Sequence, residues 1–119
     1  MFSPLVRLLA LVCLTLVGPA SLVMAAPSVA DALKLQPFQP DVDYDTPSAD
    51  QIENCTIKAE KVNGATAWVV RGPQNEVLRQ FGDSNGDNVV DVWSYFRDGL
   101  EVYREIDSND SNKPDQFRW

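Results

Sequence analysis

Histidine is absent from the 119 residues, and cysteine occurs only at positions 13 and 55. Without histidine the chain lacks the commonest general base and the commonest zinc ligand, and no Ser-His or Cys-His catalytic pair can form. Basic residues are scarce. Ten Lys and Arg stand against 17 Asp and Glu, a formal net charge of −7. That balance repels nucleic-acid phosphates and anionic membrane surfaces. It suits divalent cations, basic proteins and neutral sugars. Long apolar runs are missing too, except at the start of the chain.

There, residues 8–17 form a ten-residue run whose one polar member is Thr15, and Arg7 is the only charge before Asp31. Gly18-Pro19 breaks the run, and the small residues Ala20, Ser21, Ala25 and Ala26 follow. A short basic start, an apolar centre and a small-residue exit are the parts of a signal peptide. A membrane span needs roughly 20 apolar residues, more than this interrupted run supplies. Residues 1–25 are therefore read as a signal peptide cut before Ala26, with a cut before Asp31 as a second candidate. This places the protein outside the cytoplasm, as secreted, periplasmic or cell-envelope material, with no membrane span after cleavage. Cys13 lacks the small residues that precede a lipid-acceptor cysteine. Cleavage removes Arg7 and no acid, so the mature chain is one charge more negative. It also leaves Cys55 as the sole cysteine, which excludes an internal disulfide and leaves burial or pairing between chains.

Residues 26–45 carry Pro27, Pro37 and Pro40 with Asp41, Asp43 and Asp45. No helical or strand period survives there, and the segment reads as a disordered leader. Thr46 and Pro47 suit the cap and first turn of a short helix, with Asp50 near its positive end, running to Asn54. From Cys55 the period becomes two. Strands are predicted over residues 55–62, 65–71, 76–81, 92–96 and 100–106, and a sixth begins at Gln116. Asn63-Gly64 is a strong hairpin signal, and Gly72-Pro73-Gln74-Asn75 and Arg97-Asp98-Gly99 are turns. Residues 46–119 thus read as one mainly β domain, a small antiparallel meander. On the fifth strand Leu100, Val102 and Ile106 share a face, and Tyr103 beside Glu101 and Glu105 is expected at the solvent edge. Trp93 and Tyr95 share a strand face, repeated by Phe117 and Trp119; such rings usually form core.

A repeat runs through this segment. Asp83-Ser84-Asn85 recurs as Asp107-Ser108-Asn109, 24 residues later, and Asn88, Asp91, Trp93 and Tyr95 find Asn112, Asp115, Phe117 and Trp119 at the same offset. With one extra residue at Gly82, residues 76–81 align with 101–106 and Trp68 with Trp93. The unit is strand, turn, strand, acidic loop. Two units are present and a third has begun, which suggests a segment of a longer repeat protein.

In the first loop Asp83, Asn85, Asp87 and Asp91 put oxygen side chains at positions 1, 3, 5 and 9, and Val89 at position 7 can offer its carbonyl. Hard cations take six to eight oxygens, and alternate residues of a tight loop point inward. Asn88 at position 6 tolerates the positive φ a tight turn requires. The loops resemble the calcium loops of EF-hand and dockerin modules and of thrombospondin type 3 repeats over nine residues each. The resemblance implies Asp83, Asn85, Asp87 and Asp91 as calcium ligands, with Asp107, Asn109, Ser111 and Asp115 as a poorer second set. The pattern departs at position 12, where Ser94 and Arg118 replace the EF-hand glutamate, and at Pro114; no helices flank the loops. An EF-hand fold is excluded on those grounds. From Trp68 to Trp119 the tandem pattern resembles uncharacterised exported bacterial proteins, which implies an envelope or extracellular location and no activity. The sequence-level expectation is a secreted, non-enzymatic β-repeat protein whose acidic loops bind calcium, with a cell-envelope protein or carbohydrate as partner. The alternative is a metal-independent carbohydrate- or protein-binding module that uses the aromatic face.

Overall fold

The computed structural model describes residues 27–119. The signal-peptide reading of residues 1–25 lies outside the described residues. Within them, no helix is long and apolar enough to cross a membrane.

Six strands form one antiparallel sheet in sequence order, the meander expected from the period-two segments. They are β1 (Thr56–Val62), β2 (Ala65–Arg71), β3 (Val77–Asp83), β4 (Val92–Arg97), β5 (Leu100–Ile106) and β6 (Gln116–Arg118). Two of the connections are two-residue hairpins whose turn type demands positive φ at both central residues. Asn63 and Gly64 meet that demand at 52° and 85°, and Asp98 and Gly99 at 52° and 77°. Between β2 and β3 the turn closes through Asn75 N–H to Gly72 O at 2.9 Å. The remaining two connections, β3 to β4 and β5 to β6, are the acidic loops.

Strand register sorts the side chains into rows. Ile57, Val70, Arg79, Tyr95 and Tyr103 face one another across successive strands. The next row on the same face is Ala59, Trp68, Phe81, Trp93, Glu105 and Phe117. Ala32, Cys55, Val70, Leu78 and Phe81 form the buried cluster. Burial, helped by the charge of Glu76, raises the Cys55 thiol pKa, so the thiol stays protonated and unreactive.

Three expectations need correction. The solvent edge proposed for Tyr103 is the buried side: Tyr103 is 1% exposed and Leu100 70%. Tyr103 lies opposite Tyr95 and donates its hydroxyl to buried Glu105 at 2.9 Å, which supplies the partner a buried phenol needs. The short helix is a 3₁₀ helix at Ala49–Asn54 that follows Ser48, whose side chain makes no capping hydrogen bond. Thr46, read as its cap, instead accepts from Arg79 Nη2 at 3.1 Å.

The third correction concerns the leader, which is laid across the sheet. Helix α1 (Val29–Leu33) starts at Ser28, whose hydroxyl oxygen accepts from Asp31 N–H at 3.0 Å. Helical spacing brings Val29, Ala32 and Leu33 to one side, where they pack on the cluster with Trp68 and Trp93. Further along, Phe38 stacks on Phe117 at 5.7 Å and Tyr44 meets Tyr95 edge-on at 5.2 Å. Asp45 N–H donates to Phe96 O at 2.9 Å, and Asp43 pairs with Arg97. These contacts are tertiary and spaced irregularly, so no period in residues 26–45 announced them.

Candidate functional site

Residues 84–91 and 107–115 join β3 to β4 and β5 to β6. They share one conformation, as the 24-residue offset implies. Asn88 and Asn112 hold φ at 68° and 67°, as expected for position 6. Gly86 and Asp110, two residues earlier, are also left-handed, at 79° and 57°.

Position 1 is the hub of each loop. Asp83 Oδ1 accepts from the N–H groups of Gly86 and Asp87 at 2.9 and 3.2 Å, and Oδ2 from that of Asn88 at 2.7 Å. Asn85 Oδ1 accepts from the same Asp87 N–H at 3.2 Å, so the oxygens of positions 1 and 3 converge on one donor. Asp87 Oδ1 accepts from Val89 N–H at 3.0 Å. In the second loop Asp107 takes the N–H groups of Asn109, Ser111 and Asn112, and Asn109 Oδ1 joins it on Ser111 N–H at 3.2 Å. Burial alone would raise the Asp107 pKa. The donated hydrogen bonds from Ser111, Asn112 and Asn109 outweigh it and hold the carboxyl below its ordinary value.

Position 9 behaves differently. Asp91 is 5% exposed and gives both oxygens to Ser84, to the N–H at 2.8 Å and the hydroxyl at 2.7 Å. Asp115 repeats this with Ser108 at 3.0 and 2.7 Å, which holds the Asp115 carboxyl below its ordinary pKa. The structure thus brings together Asp83, Asn85 and Asp87, and likewise Asp107, Asn109 and Ser111, but turns Asp91 and Asp115 to the serine at position 2. Among the described residues no three His, Cys, Asp or Glu side chains gather in a way that could hold a metal ion. Ser84 and Ser108 were not singled out as site residues from the sequence, although both belong to the repeated Asp-Ser-Asn triplet. Ser94 and Arg118, at position 12, lie within β4 and β6.

The two loops adjoin. Asp107 N–H donates to Asp91 O at 2.9 Å, and Asn85 Nδ2 to Asp110 Oδ1 at 3.2 Å. The adjoining loops therefore carry six carboxylates at one end of the sheet: Asp83, Asp87, Asp91, Asp107, Asp110 and Asp115. Among the described residues none of them forms a salt bridge.

A second feature lies beside the first loop. Half-buried Trp68 and Trp93, with Leu35, Phe81 and Val90, line an apolar groove of about 310 Å³ under α1. Trp93 is partly covered there, whereas Trp119, just past β6, is 73% exposed.

Comparison with protein-family models, with curated proteins and with solved structures finds no match to this chain.

Proposed function

We propose that this is an exported, non-enzymatic β-repeat module whose adjoining acidic loops bind calcium and thereby stiffen the sheet. The observation that carries this reading is that two adjoining loops bear six carboxylates, none of them in a salt bridge among the described residues. Like charges on adjoining loops repel, and a divalent cation relieves the repulsion. Convergence of the Asp83 and Asn85 oxygens on one side of the loop supports it further. The arrangement also sets a condition. For Asp91 to serve as a ligand it must leave Ser84; otherwise Asp83, Asn85, Asp87 and the Val89 carbonyl hold the ion with water completing the shell.

The test is thermal unfolding of the exported chain in calcium and in chelator. At tenfold its dissociation constant a bound ion adds roughly 1.4 kcal/mol. The reading requires a rise in midpoint that Asp87→Ala abolishes. An unchanged midpoint at millimolar calcium overturns it.

A second reading rests on the apolar groove. Half-buried Trp68 and Trp93 line it, and aromatic rings pack on sugars and on apolar peptide side chains. Quenching or shift of tryptophan fluorescence by an oligosaccharide, unaffected by chelator, would favour this reading.

A further inference from the structure

We propose that the side of the sheet turned away from residues 27–45 binds a single neutral sugar ring. This rests neither on calcium nor on the tryptophan groove. Side chains alternate between the two faces along each strand. Trp68, Phe81, Trp93 and Tyr95 meet α1 and the crossing chain, so their neighbours Ala67, Gln80, Gly82, Val92 and Ser94 lie on the other side. A groove of about 230 Å³ opens there. Two rows of the register line it, Ala67, Gly82 and Val92 in one and Gln80, Ser94 and Arg104 in the next.

Gly82 opens this groove. Glycine inside a strand costs stability and often marks the close approach of a ligand or another backbone. Neither conformation nor crowding requires it here. Its φ is not left-handed, and a Cβ would lie 3.8 Å from that of Ala67 and 3.9 Å from that of Val92, ordinary contacts. The repeat shows the position filled. The main-chain oxygen of Gly82 accepts from Asp91 N–H, and that of Ile106 from Asp115 N–H, both at 2.8 Å. Ile106 is therefore the equivalent residue, and the first unit omits a side chain that the second carries. A second exchange adds polarity. One residue past the matched tryptophans the units have Val69 and Ser94, both buried, at 1% and 3% exposed.

The lining selects the ligand. Among the described residues no carboxylate lines the groove, and its one cation, Arg104, is paired through Nε and Nη2 with Glu101 at 2.9 and 2.8 Å. An anion gains little from a neutralised pair on a chain of formal net charge −7. Gln80 offers an amide, Ser94 a hydroxyl and Arg104 its remaining N–H groups, which an apolar ligand would leave unpaired. Sugar hydroxyls both donate and accept, while the C–H side of the ring covers Ala67, Gly82 and Val92. Sites for drug-sized ligands begin at roughly 300 Å³, so this smaller groove suits one ring.

Amide NMR titration of the exported chain in chelator tests this, with glucose, galactose, mannose and N-acetylglucosamine as probes and glucuronate as the anionic control. The expected result is saturable shifts at the Gly82 and Ser94 amides with at least one neutral sugar, and weaker ones with glucuronate. Gly82→Ile, which installs the residue of the second unit, should abolish the Ser94 shift. Ser94→Val, which installs the residue found in β2, should weaken binding by about 2–10-fold, the worth of one hydrogen bond. Circular dichroism checks folding, and if Gly82→Ile does not fold, Ser94→Val decides. Absence of a saturable shift with all four sugars overturns the proposal, as does tighter binding of glucuronate or a folded variant that binds as the native chain does. Shifts confined to the indole N–H groups of Trp68 and Trp93 overturn it too, and place the sugar in the groove under α1.

Discussion

The guanidinium of Arg79, in the third strand, donates from Nη1 to the main-chain oxygen of Asp45 at 2.6 Å, across 34 residues of sequence. Arg79 is fully buried and has no carboxylate partner among the described residues. Its charge is met instead by carbonyl oxygens of Asp45 and Leu78, the Thr46 hydroxyl, and the rings of Tyr44 and Tyr95 at 4.7 and 5.4 Å. A cation desolvated against aromatic faces gains more there than at an exposed site. Three of those groups, Tyr44, Asp45 and Thr46, belong to the chain that crosses the sheet, so Arg79 holds that crossing in place.

Arg79→Met keeps an apolar stem but loses every donor. Loss of hydrogen bonds to a charged group should lower stability by about 2–4 kcal/mol. Thr46→Val removes one acceptor and should lower it by about 0.5–1.5 kcal/mol. Urea unfolding checks both. If Arg79→Met stays within about 0.5 kcal/mol of the native chain, as an ordinary surface change would, Arg79 does not secure the crossing.

Asp83 and Asp87 separate the turn role of the loop from a ligand role. Asp83 accepts three backbone N–H groups and Asp87 one. In chelator, Asp83→Ala should therefore lose about 1–3 kcal/mol, and Asp87→Ala a smaller amount. In calcium, both should lose the metal-dependent rise in midpoint. Equal losses in chelator, with no calcium response in the native chain, would leave the loops as hydrogen-bonded turns alone.

Strand positions, the Asn63-Gly64 hairpin and the turn at Arg97-Asp98-Gly99 were legible because their signals are local. Alternation of Ile57 and Ala59 with Thr56 and Lys58, and the Asn63-Gly64 and Asp98-Gly99 pairs, specify structure within a few residues. The repeat at Asp83 and Asp107 likewise foretold two loops of one shape. The buried side of β5 was not legible. Glu101, Tyr103 and Glu105 read as a polar row, and Tyr95 opposite, Trp119 edge-on and Phe38 above make Tyr103 and Glu105 interior, while Glu101 stays exposed and pairs with Arg104. Residues 27–45 were missed for the same reason, since Phe38 and Tyr44 find partners more than fifty residues away. At the site, alternation identified which oxygens line the loop but not that Ser84 competes for Asp91.

Acid should loosen the second loop. Asp107 and Asp115 both titrate below their ordinary value in the folded chain because donors converge on their ionised forms. Such groups stabilise the fold above the unfolded carboxylate range, near pH 4. The contribution disappears as pH falls through the lower folded values. Amide exchange at Ser108, Ser111 and Asn112, whose N–H groups feed these carboxylates, should rise in that window. Protection that persists after both carboxyls have protonated would show that these bonds do not depend on charge.

Alkali probes the opposite face of the argument. Burial first, then the hydrogen bond to Glu105 and its charge, push Tyr103 up to about 12. Tyr95 is raised as well, chiefly by burial. An unfolded tyrosine ionises near pH 10, so the unfolded state releases these protons before the native state does. Stability is therefore full below pH 10 and declines as pH climbs toward the folded values. Phenolate absorbance of Tyr95 and Tyr103 should appear late and coincide with loss of the native circular dichroism signal. Glu105→Gln removes the neighbouring charge while keeping an acceptor, and should move the Tyr103 transition downward without abolishing its delay, because burial is the larger cause. A Tyr103 that ionises near pH 10 in a chain still folded would contradict the interior placement of β5, and with it the covering of that face by residues 27–45.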